Sequence, residues 1–264
     1  MRTHPTDPRL YLVGPADLIQ EPLPEGVKAD LELLKATMAW AVSYLTNPHP
    51  ELGRSGPVCP FTRPALRKDT FFLTVYHGSD LRREDVVEVV RAYRDWFLEM
   101  EPREGKDAPY KTINIIFPDI STEDAIELIE DTQTSLKPEW VPHGVMIGEF
   151  HPGPPRKAGL WNPDFRPLKS PVPLMSIRFM VPTDFAFLRD TPELMTAYLE
   201  RFADRIPAPM RADVEATARR FGLEHLLPAP AAPGLVVERV PAEPLRVEVV
   251  PDSPPAGEPL PLAD

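Results

Sequence analysis

Apolar residues recur every three or four positions between residues 29 and 45. Leu31, Leu34, Met38, Val42 and Leu45 form one stripe, and Trp40 and Tyr44 widen it. That spacing predicts a helix with one buried face, ended by Asn47-Pro48. The period then changes. Residues 70–76 (Thr-Phe-Phe-Leu-Thr-Val-Tyr) and 111–117 (Lys-Thr-Ile-Asn-Ile-Ile-Phe) are short apolar runs and read as buried strands. Residues 81–100 lie between them and return to helical spacing. Val86, Val90, Tyr93 and Phe97 share one face, with Trp96 beside them. Ser121 or Thr122 caps a third helix running to about residue 135, with Glu123, Asp124 and Glu127 near its positive end. Residues 145–150 and 174–181 read as two more strands. Helices are predicted over 192–204 and 210–221.

The order is strand, helix, strand, helix, strand, strand, then helices. It predicts an α+β fold in which a small mixed sheet is packed with helices. The first two crossovers place strands in parallel, and the last two strands pair antiparallel across a long loop. That loop, from His151 to Pro173, has little regular patterning. A loop of this length in a compact domain is usually functional, and Trp161, Phe165 and Leu168 give it apolar groups with which to pack. The expected organisation is an extended segment over 1–27, a single domain over 28–225 and a proline-rich tail over 226–264. Ten of the 36 prolines fall between Pro228 and Pro261, so the tail cannot build a core and is expected to be extended.

Composition narrows the function classes. The net charge of −11 argues against nucleic-acid binding, which needs clustered Lys and Arg. No run approaches the length of a membrane span, and the first residues carry no signal-peptide core. A single cysteine forms no intrachain disulfide, which fits a reducing compartment. The expectation is a cytoplasmic protein with no nucleic-acid or membrane partner. The aromatic residues of the long loop offer a surface for a homodimer.

Two blocks could carry chemistry. Cys59 sits in Gly-Pro-Val-Cys-Pro-Phe, and His151 in Gly-Glu-Phe-His-Pro-Gly-Pro-Pro. As a nucleophile Cys59 needs a base, and His151 or His143 could serve. A redox pair lacks its second cysteine, and close-spaced zinc ligands are missing. Haem iron needs only one protein ligand, and a single thiolate suffices. Pro60 stiffens the loop, and Phe61 could lie against a porphyrin edge. Cys59 is equally readable as a small buried hydrophobe. His151, held extended by Pro152, could act as acid–base group or cofactor contact, or could bond a loop carbonyl. Arg54 and Arg63 bracket Cys59, Arg166 lies in the long loop, and Arg178 alternates with Ser176 and Met180 on one face of the last strand. Arg178 requires an anionic partner there, either a cofactor or substrate carboxylate or an internal acid such as Glu149. Glu127, Glu130 and Asp131 read as solvated helix surface. His49 and His77 read as loop and turn residues, and His4 and His225 as surface groups.

The segments Asn47–Phe61, Gly148–Gly153, Asn162–Leu168 and Ser170–Arg178 together resemble an uncharacterised bacterial domain family of the DUF6875 type, over roughly residues 28–205. Its members often lie near natural-product genes. More distantly the layout is similar to the YqcI/YcgG group, thought to include haem enzymes acting on amino-acid nitrogen. That resemblance implies Cys59 as axial thiolate to a haem b iron and His151 and Arg166 on the pocket side. Arg156 and Lys157 only partly match the group's Arg-rich stretch. The function expected from residues and resemblance together is a haem-thiolate oxygenase or peroxygenase acting on a small molecule. His151 and Arg166 would be its catalytic residues, and Phe61, Arg63, His151 and Arg178 would contact the cofactor. Electrons or peroxide would come from outside, since no flavin or ferredoxin signature is present. The alternatives are a non-catalytic scaffold of a biosynthetic complex and a cysteine-dependent transferase or hydrolase.

Overall fold

The computed structural model describes residues 1–23, 25–154, 162 and 166–228. The expectations placed on Arg156, Lys157, Trp161 and Phe165, and on the tail beyond Pro228, lie outside the described residues. Six strands are described: β1 (Arg2–Thr3), β2 (Tyr11–Leu12), β3 (Phe71–Val75), β4 (Thr112–Ile116), β5 (Val145–Phe150) and β6 (Leu174–Phe179). Eight α-helices accompany them: α1 (Glu25–Lys28), α2 (Leu31–Trp40), α3 (Thr62–Arg67), α4 (Arg83–Glu99), α5 (Thr132–Trp140), α6 (Phe185–Leu188), α7 (Pro192–Phe202) and α8 (Arg211–Phe221). The fold is α+β, with a four-stranded mixed sheet and a two-stranded ribbon.

The sheet order is β3-β4-β6-β5. β3 and β4 are parallel, and β6 is antiparallel to both β4 and β5. β5 therefore runs in the direction of β3 and β4, but β6 lies between it and β4. The segment 1–27 is more structured than an extended lead-in. β1 and β2 form the ribbon, Pro15–Leu18 make a 3-10 turn, and Val13 bridges to Leu73 through paired backbone hydrogen bonds of 2.8 and 2.9 Å. Leu12 and Val13 supply the reason, because both are completely buried.

The two faces of the sheet are built differently. Phe72, Ile113, Ile177 and Ile147 stand in register across it and pack in one cluster with Val86, Val90, Tyr93 and Phe97 of α4 and Leu136 and Trp140 of α5. The opposite face is divided. Phe71, Leu73, Val75, Ile116 and Leu174 pack with Leu34 of α2 at one end. Met146 packs with Met195 and Tyr198 of α7 and Val214 of α8 at the other.

Two helices contain π turns. α2 continues through Ala41–Leu45 in this form, and Ile126–Asp131 precede α5 in the same way. A π turn inserts an extra residue and rotates the stripe beyond it. Val42, expected in the buried stripe, is exposed, because the buried stripe runs through Leu34, Thr37, Ala41 and Leu45 instead. The third helix also runs further than expected, through Pro138 to Trp140.

Candidate functional site

Between the two apolar clusters of the divided face lies a polar band. Asn114, Ser176 and Gly148 stand side by side across β4, β6 and β5, and Thr112 and Arg178 form the next row. β6 is an interior strand, so its residues would ordinarily be closed over, yet Ser176 and Arg178 are only half-buried, as is Gly148 beside them. A Cβ added to Gly148 would meet nothing nearer than Phe150 at 3.5 Å and Ser176 at 3.9 Å. The band is the floor of the candidate site.

The hydrogen bonds of this floor have a fixed direction. The Phe72 carbonyl can only accept, so the Asn114 amide nitrogen donates to it, at 2.9 Å. The Asn114 oxygen then accepts from the Ser176 hydroxyl at 2.6 Å. Ser176 has spent its proton, and its oxygen remains an acceptor.

The walls come from α2 and the cysteine loop. Trp40 stacks on Tyr44 at 6.1 Å and meets Phe150 edge-on at 5.7 Å. The Tyr44 hydroxyl donates to the Arg166 carbonyl at 3.2 Å, and burial pushes its pKa up to about 12, so it remains a donor. The Asn162 side-chain amide donates to the Glu51 carbonyl at 2.8 Å. The described ends of the long loop are thus fastened over the α2 side.

Cys59 sits half-buried just before α3, packed against the apolar cluster of α2. Its N–H donates to the Leu45 carbonyl at 2.8 Å, Val58 N–H donates to Asn47 at 2.9 Å, and the Arg54 guanidinium donates to the Val58 carbonyl at 3.0 Å. These bonds hold the thiol-bearing loop against the end of α2. Phe61 reaches the Arg178 guanidinium, 5.8 Å from the ring centre. Burial disfavours the Arg178 charge. The Asp184 carboxylate opposes that effect more strongly and Cys59 adds to it, so the net shift of the Arg178 pKa is upward.

Cys59, Phe61 and Arg178 therefore come together, and the other expected site residues do not join them. Arg178 pairs with Asp184 through two bonds of 2.6 and 2.8 Å and also donates to the Phe179 carbonyl. Its partner is not Glu149. Glu149 stands opposite Met175 on the other face, an odd number of residues from Met146, which stands opposite Arg178. Arg63 donates to the Thr46 carbonyl at 2.9 Å and braces the end of α2. Arg166 contributes its backbone carbonyl to Tyr44.

His151 continues the alternation of Ile147 and Glu149 and lies on the α5 side. It is completely buried, with Nε2 2.9 Å from Glu130 Oε1. Glu130 was expected at the surface. The π turn before α5 rotates it inward, leaving it 6% exposed. Among the described residues, His151 Nδ1 has no hydrogen-bond partner. The sheet thus separates this pair from Cys59, and neither a shared cofactor site nor a Cys–His proton relay is assembled. His49, the histidine nearest in sequence to Cys59, accepts from Glu51 N–H at 3.2 Å and stacks edge-on with Tyr44. His4 is less superficial than expected, meeting Trp96 edge-on at 5.1 Å.

Among the described residues, no three His, Cys, Asp or Glu side chains converge as a metal site. A thiolate-ligated haem does not require such a group. Cys59 fits the ligand role, because it is only half-buried, loop-borne and held by backbone hydrogen bonds. Arg63 and Arg178 do not fit as free propionate partners, since both are committed to protein acceptors. His151 does not fit as a pocket acid.

Fold and site define an α+β protein with a half-buried polar band on one face of its sheet, close to its only thiol. The chain belongs to the DUF6875 family, a domain of unknown function, matched over residues 34–213. No curated protein and no solved structure matches it. No described helix is long and apolar enough to cross a membrane.

Proposed function

We propose that the polar band beside Cys59 binds haem b through the Cys59 thiolate and that the protein is an oxygenase or peroxygenase of a small molecule. The observation that carries this reading is the presentation of Cys59: half-buried, on a loop locked to Leu45, beside the half-buried Arg178 of an interior strand. A bound haem thiolate would supply oxygen activation, which a thiolate ligand favours by donating electron density. The chain's own residues would have more limited roles. Phe61 and Trp40 give apolar walls, Tyr44 keeps a hydroxyl donor, and Ser176 offers an acceptor that orients a donor group on the substrate. The Arg178–Asp184 pair holds a cation near the sulfur without a free arm for the substrate. Electrons or peroxide would come from an external source.

The test is the absorption spectrum of protein expressed with added haem precursor, then reduced and exposed to carbon monoxide. The expected result is a Soret band at the ferrous thiolate–CO position that is lost in Cys59→Ser. A featureless spectrum after haem reconstitution would refute the reading. Cysteine-based transfer is less well supported, since no described histidine is placed against Cys59 as a base.

A further inference from the structure

His77 follows β3, and Asp119 follows β4. These strands are parallel neighbours, so the two residues leave the same edge of the sheet side by side. Asp30 is the residue immediately before α2. The three meet. His77 Nε2 is 2.8 Å from Asp30 Oδ1, Nδ1 is 3.1 Å from Asp119 Oδ2, and Gly78 N–H also donates to Asp119 at 3.0 Å.

A carboxylate only accepts, and a neutral imidazole has one N–H. Two ring nitrogens facing two carboxylates are both satisfied only in the imidazolium form. Loss of the proton turns one arm into a lone pair facing an anion. We propose that His77 is a proton-operated clasp that fastens the start of α2 to the carboxyl edge of the sheet, and that it tightens as pH falls. α2 carries Trp40 to the candidate site, and its π-turn extension ends at Leu45, whose carbonyl holds Cys59. The clasp therefore couples pH to how firmly that wall is seated. The inference concerns the protein fold and stands whether or not haem binds.

The charged groups facing the ring are Asp30 from the start of α2 and Asp119 from the segment after β4. Tyr11 of β2 lies behind Asp30, close enough for Asp30 to help raise its pKa. The His77 pKa is raised, first by the hydrogen bond to Asp30, against a smaller opposing effect of burial, and then by Asp119. A raised folded-state value gives stabilisation that is complete below the unfolded value of about 6.5 and is lost as pH rises through the folded value. His77 is 55% exposed, so solvent screening keeps the effect modest.

The experiment is hydrogen exchange of the α2 amides from about pH 5.5 to 8.5, corrected for intrinsic rates, with nitrogen NMR of the His77 ring over the same range. In the wild type, local opening of α2 should increase severalfold, by about tenfold at most, as the ring deprotonates. In His77→Gln that pH dependence should vanish while the fold is kept. In Asp30→Asn the ring should titrate at lower pH. An α2 opening profile in His77→Gln that matches the wild type would overturn the clasp, as would a ring pKa unmoved by Asp30→Asn.

Discussion

At the scale of single residues, the candidate site is an electrostatic arrangement. Asp184 is 3% exposed and its partner Arg178 24%, so the arginine is the less buried member of the pair. Removing the cation and removing its neutralising anion should have opposite effects on the thiol. Because Cys59 is the only cysteine, iodoacetamide alkylation reports on it alone. The alkylation rate at fixed neutral pH should fall severalfold in Arg178→Met and rise in Asp184→Asn, since the thiolate is the reactive form. A loosened fold would accelerate both variants, so a rise in both would refute the electrostatic account. Gly144 gives a backbone test. Its φ of +76° follows a 3-10 turn, and its carbonyl accepts from Met180 N–H. Gly144→Ala should cost about 1 kcal/mol, read from the urea midpoint, mostly as left-handed strain. The clash with Arg201 that an added Cβ would meet involves the far end of a flexible side chain.

At the scale of elements, the end of α4 depends on a buried cation. Lys111 is completely buried, and its ammonium donates to the carbonyls of Phe97 and Met100 and lies 4.3 Å from the Phe97 ring. It supplies donors to a helix terminus that lacks them. Burial lowers its pKa to about 8. Between that value and the unfolded value near 10.5 the unfolded chain holds more protons, so stability rises with pH and is lowest below the window. The His77 clasp opposes this gain as its ring deprotonates, and the buried tyrosines do so above about pH 10, so the comparison is made with a variant that keeps both. Urea unfolding at pH 7 and at about pH 9.5 should show a gain on the order of 2 kcal/mol at most, absent in Lys111→Met. An equal gain in that variant would assign the effect elsewhere. The elements themselves were largely legible. Alternation and helical spacing locate all four strands of the main sheet, because a buried face imposes its period on the sequence. The π turns were not legible. They leave composition unchanged, and Glu130, which lies within one of them, was expected outside.

At the scale of the whole molecule, the decisive feature is the insertion of β6 between β4 and β5. Local patterning carries no information about which edge a returning strand joins, so the order could not be read from the chain. The register depends on that order, and it places Arg178 with Met146 while His151 follows Glu149 to the opposite face. Cys59 and His151 are the two most distinctive motifs of the sequence, and one site was expected to use both. The sheet instead assigns them to separate sides, with the polar band on one and a buried carboxylate–imidazole pair on the other. The consequence is testable as independence. His151→Gln and Glu130→Gln each disturb a buried pair and should destabilise the fold by about 3 kcal/mol. Under conditions where these variants remain folded, the Cys59 alkylation rate and any thiolate-ligated haem spectrum should match the wild type. Cys59→Ser should remove the spectrum and leave the unfolding midpoint nearly unchanged. Combined with His151→Gln, its effect on stability should simply add, because groups on opposite faces of a sheet share no partners. Loss of the haem spectrum in folded His151→Gln would mean that the imidazole acts across the sheet on the thiolate side, and the two-sided assignment would fall.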